Sequence, residues 1–292
     1  MRRRERVYVA LLSPALVVLA VVTLAPFAFL LLTSLTPLNL ARPVTWWDFS
    51  RPFANFVELP GDGRFVNSLS VQLRLSVFTV LGQLLLGLGA ALLLNRPSRL
   101  LEAIRALFII PMVLPPIVVA IIWKVLFTPD ISVLNWGLGL VGLRQPAWLA
   151  DPRLALPAII VADVWEWFPF TLLMLLAALQ MMPAEPLEAA RIDGAGPWQV
   201  FRYVVLPLLK PTMVVTVLFR LIESVKAFPL IFIMTGGGPG TVTEATNYYA
   251  FLQGFTYSLI GFSAAISVVV LAGTFLLSYA IVRWVGTQVD VE

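Results

Sequence analysis

Apolar residues along this chain gather into runs about as long as a bilayer is thick, separated by stretches where Pro, Gly and charged residues collect. A helix needs roughly 20 apolar residues to cross a hydrocarbon layer about 30 Å thick. Six runs meet that length: Val7 to Thr33, Phe65 to Leu94, Ala103 to Phe127, Leu154 to Met181, Lys210 to Met234 and Ser258 to Val282. The pattern predicts an all-α, polytopic membrane protein with a single transmembrane domain over residues 1–292. Segments 34–64, 128–153 and 235–257 fall on one side, and segment 182–209 lies on the other.

Within this pattern, Pro111, Pro115 and Pro116 predict a bend in the third run, because proline lacks the N–H that a helix interior needs. The freed carbonyls must be satisfied by neighbours, which suits both a cavity-lining helix and a packed kink. Arg2, Arg3, Arg4 and Arg6 precede the first run as in a signal peptide. That run is too long for one and no small-residue cleavage site follows, so it is read as a membrane anchor.

Composition narrows the class. Hydrophobic residues make up 60% of the 292 positions and charged ones 12%, too apolar for one soluble core. There is no Cys and no His, which removes disulfides, thiolate chemistry, the commonest metal ligand and the usual general base. The net charge of +4 is scattered around the spans, a pattern that fits membrane orientation and not nucleic acid. With the N-terminus inside, Arg2, Arg3, Arg4, Arg6, Arg96, Arg99, Arg105, Arg191, Arg202, Lys210 and Arg283 share the inner side. The outer segments then hold only Arg42, Arg51, Arg64, Arg144 and Arg153, so both termini are expected in the cytoplasm of a cell with an inner membrane. The Pro- and Trp-rich outer segments read as small ordered caps, serving either as interfacial anchors or as a docking surface.

The charges inside the spans are the informative chemistry. Asp163 and Glu166 sit one turn apart in the fourth run, with Trp165 and Trp167 beside them and Phe170 a turn further on. In the fifth run Arg220, Glu223, Ser224 and Ala227 share one helical face, with Lys226 adjacent. An ionised group at mid-membrane costs at least about 2.5 kcal/mol, so these side chains should face a wet interior and pair, Arg220 with Glu223, Asp163 or Glu166. Carboxylates, a guanidinium, a hydroxyl and flat aromatic rings suit a sugar, whose hydroxyls take hydrogen bonds and whose C–H faces stack on Trp. The same set also suits an ion-pair network that only fixes helix packing. Arg74 and Lys124 are further cations at depth; Lys124 can snorkel, and Arg74 can snorkel or face the cavity. A membrane enzyme using Asp163 and Glu166 as an acid/base pair is a competing reading. An ion-coupled carrier is another, although no internal symmetry supports it.

One polar island separates the fourth and fifth runs, from Glu188 to Pro207. Pro186 suits a first helical turn, Leu187 to Ile192 are good helix formers, and Gly194 supplies a left-handed stop. Pro197 then starts a second helix with Trp198, Phe201 and Val204 as its apolar stripe, which Pro207 is expected to interrupt. Glu188-Ala189-Ala190, Asp193-Gly194-Ala195, Phe201, Val204, Leu206-Pro207 and Pro211 together resemble the EAA motif of permease subunits from binding-protein-dependent ABC importers. Thr235-Gly-Gly-Gly-Pro-Gly240 with Thr243, Tyr248 and Phe255 is similar to a further pattern of the maltose/trehalose-type larger permeases.

The resemblance implies the transmembrane fold of a type I importer in its minimal six-span form, without the extra spans and outer domain of the enteric maltose permease. It implies that Glu188, Ala189, Ala190, Asp193 and Gly194 form a cytoplasmic coupling helix seated on an ATPase. Sugar contacts carry over to the neighbourhood of Trp165, Trp167 and Phe170, and to Arg220, Glu223, Ser224 and Ala227. Residue types there are more charged than in the maltose pattern, leaving disaccharides, sugar alcohols and glycerol phosphate all open. The implied partners are a second EAA-type permease, two copies of an ATPase, an extracytoplasmic solute-binding protein and membrane lipid. No Walker-type loop occurs in the chain, so a non-catalytic subunit is expected, with ATP and Mg held by the ATPases and no cofactor of its own.

Overall fold

The computed structural model describes residues 2–42 and 45–289, with side chains from 12 to 42 and from 45 to 283. The side chains of Arg2, Arg3, Arg4 and Arg6 lie outside that set. In chain order the described residues form α1 (Arg2–Ser34), α2 (Ala54–Glu58), α3 (Gly63–Leu94), α4 (Arg99–Val113), α5 (Pro116–Phe127), α6 (Val133–Leu140) and α7 (Ala155–Gln180). There follow α8 (Ala184–Ile192), α9 (Pro197–Val200), α10 (Leu206–Ser224), α11 (Phe228–Met234), α12 (Thr246–Phe251) and α13 (Ile260–Val289). Among the described residues five stretches are long and apolar enough to cross a membrane, and α4 with α5 makes a sixth if that bent pair is one span. The protein is all-helical and polytopic.

Three boundaries differ from the sequence expectation. The third run bends as expected, but as two separate helices meeting at 97° and not as one continuous helix. Leu114 and Pro115 each precede a proline and are driven into extended backbone, with ψ of 141° and 136°. Pro111, with no proline after it, stays inside α4. Pro207 does not interrupt its helix either: helix runs from Pro197 to Ser224, so the fifth span begins 13 residues before Lys210. A π-turn over Phe201–Val205, in which the Leu206 N–H bonds the Phe201 carbonyl, widens the backbone just where a proline lacks its donor. At the other end helix stops at Ser224 and restarts at Phe228, with Pro229 in its first turn.

Tertiary contacts divide the chain into two compact units. In the unit formed by residues 1–65 and 249–272, Leu59, Phe65, Tyr249, Ala250, Ala265 and Ile266 make the core. The irregular strap after α1 is stitched down by Leu40 N–H to Ser258 O (3.0 Å) and Gly261 N–H to Leu38 O (3.0 Å). A Cβ on Gly261 would lie 2.0 Å from the Thr36 carbonyl oxygen, so only glycine fits. Asp62 accepts the Arg64 N–H at 2.9 Å and the Tyr249 hydroxyl. Burial, then the bond and charge of Asp62, push the Tyr249 phenol pKa upward, which keeps it a donor.

In the unit formed by residues 66–248 and 273–292, α3, α4, α7 and α10 pack around Ala91, Leu94, Leu172, Leu175, Leu176, Leu179 and Leu209. Arg105 closes the end of α3 by donating to the carbonyls of Leu94 and, at 3.1 Å, Arg96. The segment between α5 and α7 is ordered by Asn135, whose side chain donates to Pro146 O (3.1 Å) and accepts from Trp148 Nε1 (2.8 Å). Arg74 is exposed on α3, with Nε on the Ser70 carbonyl at 3.3 Å, and does not reach the cavity described below. Lys124 is exposed in the last turn of α5.

Candidate functional site

The site grows from a polar stripe inside α3. Ser68, Gln72, Ser76, Thr79 and Gln83 recur every three or four residues and are all buried. Polar side chains sealed among apolar helices must find partners, and two of them select α10. Ser224 Oγ donates to Ser76 Oγ at 2.7 Å, and Gln72 Nε2 donates to Ser76 Oγ at 3.0 Å and to the Ser224 carbonyl at 3.2 Å.

A turn further along, Gln83 joins three helices. Its amide nitrogen donates to Asp163 Oδ1 on α7 at 2.7 Å, and its oxygen accepts from Arg220 Nε on α10 at the same distance. Arg220 Nη2 completes the triangle with Asp163 Oδ1 at 3.6 Å. Arg220 is 2% exposed and its guanidinium carbon lies 4.5 Å from the Trp167 ring centre. An arginine this deep is tolerable because carboxylate, amide and π-face all meet it.

Beside the triangle is a cavity of about 200 Å³, bounded by Asp163, Glu166, Trp167, Glu223 and Lys226 together with residues of α5 and α11. The α10–α11 break shapes it, since the turn carries Lys226 back to Glu223, Nζ to Oε1 2.8 Å. Glu166 is 1% exposed, and its Oε1 has no hydrogen-bond partner. This pairing differs from one sequence alternative: Arg220 joins Asp163 and not Glu223, which takes Lys226 instead.

The candidate residues therefore separate. Asp163, Glu166, Trp167 and Glu223 line the cavity, with Arg220 stacked behind Trp167. Trp165 turns away to meet Trp123 edge-on at 5.8 Å, and Phe170 packs on Phe219 at 6.3 Å. Ser224 is consumed by the α3 stripe. Gln83 was not singled out from sequence, although the Ser68 to Gln83 periodicity inside an apolar run is the signal that points to it.

The polar island is an elbow of α8 and α9. Gly194, at φ +76°, ends α8 in a Schellman turn: Ala195 N–H bonds the Ala190 carbonyl (2.9 Å) and Gly194 N–H bonds that of Arg191 (3.1 Å). Gln199 Oε1 then accepts the Gly196 N–H at 2.8 Å, holding the start of α9 behind Pro197. Glu188, Ala189, Asp193 and Gly194 are exposed and Ala190 half-buried, while Ile192 and Trp198 present large apolar surface. Phe201 and Val204 turn inward, half-buried.

Residues 83–290 match the family described as binding-protein-dependent transport system inner membrane component. The chain is 34% identical over 248 residues to a trehalose/maltose transport system permease of Thermococcus litoralis, covering 84% of this chain and 83% of that protein. It is 33% identical over 282 residues to a sulfoquinovosyl glycerol transport system permease of Agrobacterium fabrum, covering 96% and 90%. Among solved structures, a bacterial ABC transporter involved in import of the acidic polysaccharide alginate superposes with a TM-score of 0.81 at 20% identity, covering 97% of this chain and 96% of that one.

Proposed function

Since this chain belongs to the inner-membrane components of binding-protein-dependent transport systems, we propose that it is the sugar-handling permease subunit of an ATP-driven importer. The observation that carries the sugar reading is the cavity between α7, α10 and α11, where a Trp167 face stands beside carboxylates. An aromatic face covers the apolar side of a pyranose while carboxylates take its hydroxyls. The relatives named for trehalose/maltose and for sulfoquinovosyl glycerol support a carbohydrate.

The cavity's 200 Å³ falls below the roughly 300–1,000 Å³ of a complete ligand pocket. A second EAA-type permease supplies the remainder in this reading. A solute-binding protein delivers the sugar from outside, and two ATPases that hold ATP and Mg drive the cycle. The exposed elbow at Glu188, Ala189, Ala190, Asp193 and Gly194 is the contact with an ATPase, which puts it and both termini in the cytoplasm. The Schellman turn that ends α8 and the Gln199 bond that holds the start of α9 make a stiff elbow, and α9 is continuous with α10 through the π-turn, so a push on α8 can pass into α10. ATPase closure then favours an outward-open arrangement that accepts sugar.

The test is ATP hydrolysis by the reconstituted assembly with its binding protein, over a panel of mono- and disaccharides. Stimulation by one sugar or a small group is expected, with loss of that stimulation in Trp167→Ala. Hydrolysis indifferent to every sugar overturns the reading.

A further inference from the structure

Building on that sugar reading, we infer that the cavity selects uncharged sugars and turns away acidic ones, with Glu166 as the selecting residue. Family and fold leave this open, because the relatives and neighbours range from a trehalose/maltose permease to an importer of an acidic polysaccharide. The side chains that this chain contributes to the cavity favour the uncharged class.

Three carboxylates border the cavity, and two of them are already matched. Asp163 is held by Gln83 and Arg220, and Glu223 by Lys226. Glu166 is the remainder: 1% exposed, with no hydrogen-bond partner at Oε1 and no ion pair to either cation; Arg220 Nη1 is also buried without a partner, but Arg220 lies behind Trp167 and outside the cavity lining. A buried acceptor without a partner is costly, and a ligand that brings a donor removes the cost. A sugar hydroxyl does so, because it donates to Glu166 while its own oxygen stays free to accept. A uronate, sulfonate or phosphate brings a second negative charge to a site with three carboxylates and two cations, in surroundings where charges are poorly screened. Lys226 is no substitute counter-ion, since it is 66% exposed and already committed to Glu223. An unpaired like charge set against the wrong ligand discriminates in addition to any contact made to the right one.

The binding protein has its own selectivity, so the experiment leaves it out. The complete transporter, both permeases with their ATPases, is placed in nanodiscs, and equilibrium dialysis measures binding of neutral mono- and disaccharides, each paired with the uronate of the same ring. The neutral member of at least one pair is expected to bind about tenfold or more tighter than its uronate. Glu166→Gln keeps the shape and removes the charge, and should close most of that gap by strengthening uronate binding. Glu223→Gln, at the accessible rim, frees Lys226 and should narrow the gap without touching the buried core. Equal binding of neutral and acidic members, or a gap that Glu166→Gln leaves unchanged, overturns this inference while leaving the sugar reading intact. If no sugar of either kind binds, the sugar reading itself falls, and this inference with it.

Discussion

Gln83 and Arg220 are 137 residues apart in the chain and meet at 2.7 Å, the amide oxygen of one accepting the Nε–H of the other. Through its nitrogen the same amide holds Asp163, so one neutral side chain sets the relative rotation of α3, α7 and α10. Both ends of the amide are used, and a residue with a single polar end cannot replace it.

Gln83→Leu therefore leaves Arg220 Nε and Asp163 Oδ1 each one partner short. A loss of about 2–4 kcal/mol is expected, since buried polar groups without partners cost about 1–3 kcal/mol each and more when charged. Thermal unfolding in detergent checks it, with Gln83→Glu as a second variant. The carboxylate introduced by that change would still accept from Arg220 but would repel Asp163, and should also destabilise.

The two tryptophans flanking Glu166 should behave differently. Trp167 borders the cavity and covers Arg220, while Trp165 packs against Trp123 away from it. Trp167→Ala is expected to lower sugar uptake about five- to thirtyfold, since stacking on an aromatic face contributes about 1–2 kcal/mol. Trp165→Phe should leave uptake within about twofold of wild type, because the edge-on contact survives. Uptake into proteoliposomes, normalised to assembled complex, makes the comparison.

Glu188 is exposed on α8 and buries nothing within the chain. Glu188→Lys should leave membrane insertion and thermal stability unchanged, since surface changes of this kind stay within about 0.5 kcal/mol. Sugar uptake should fall at least about tenfold through loss of the ATPase contact, because a reversed charge at such a contact acts mainly by repulsion. Wild-type uptake in this variant would remove the coupling role.

Gly261→Ala tests the strap after α1. The added methyl would sit 2.0 Å from the Thr36 carbonyl oxygen, far inside contact distance, and backbone on both sides must shift. The Gly261 to Leu38 hydrogen bond should break, at a cost of about 2 kcal/mol or more. Protease cleavage within 35–42 should become faster, with α1 still inserted.

Much of this protein was legible one segment at a time. Lipid selects helices by the apolar length of a run, which is local and additive, so all-helical class and the approximate spans follow from hydropathy alone. The Glu188 to Pro211 spacing carried the family, and Gly194 carried the end of α8, because a left-handed turn is a single-residue property. The charges of α7 and α10 could be located in the same way, as costly exceptions inside apolar runs.

What the tertiary structure decided is which way each helix turns and what it then meets. Pro207 stays within its helix because a π-turn before it absorbs the missing hydrogen bond, whereas two adjacent prolines at 115 and 116 produce a 97° corner. Trp165 and Trp167, two residues apart, face different neighbours because each helical step rotates a side chain by about 100°. Arg220 had three carboxylates within plausible reach by sequence, and the stripe on α3 supplied Gln83 to hold it against one of them. Glu166 is left over once the other charged side chains that line the cavity, Asp163, Glu223 and Lys226, have found partners, a result of pairing across helices and therefore invisible until the helices were in place.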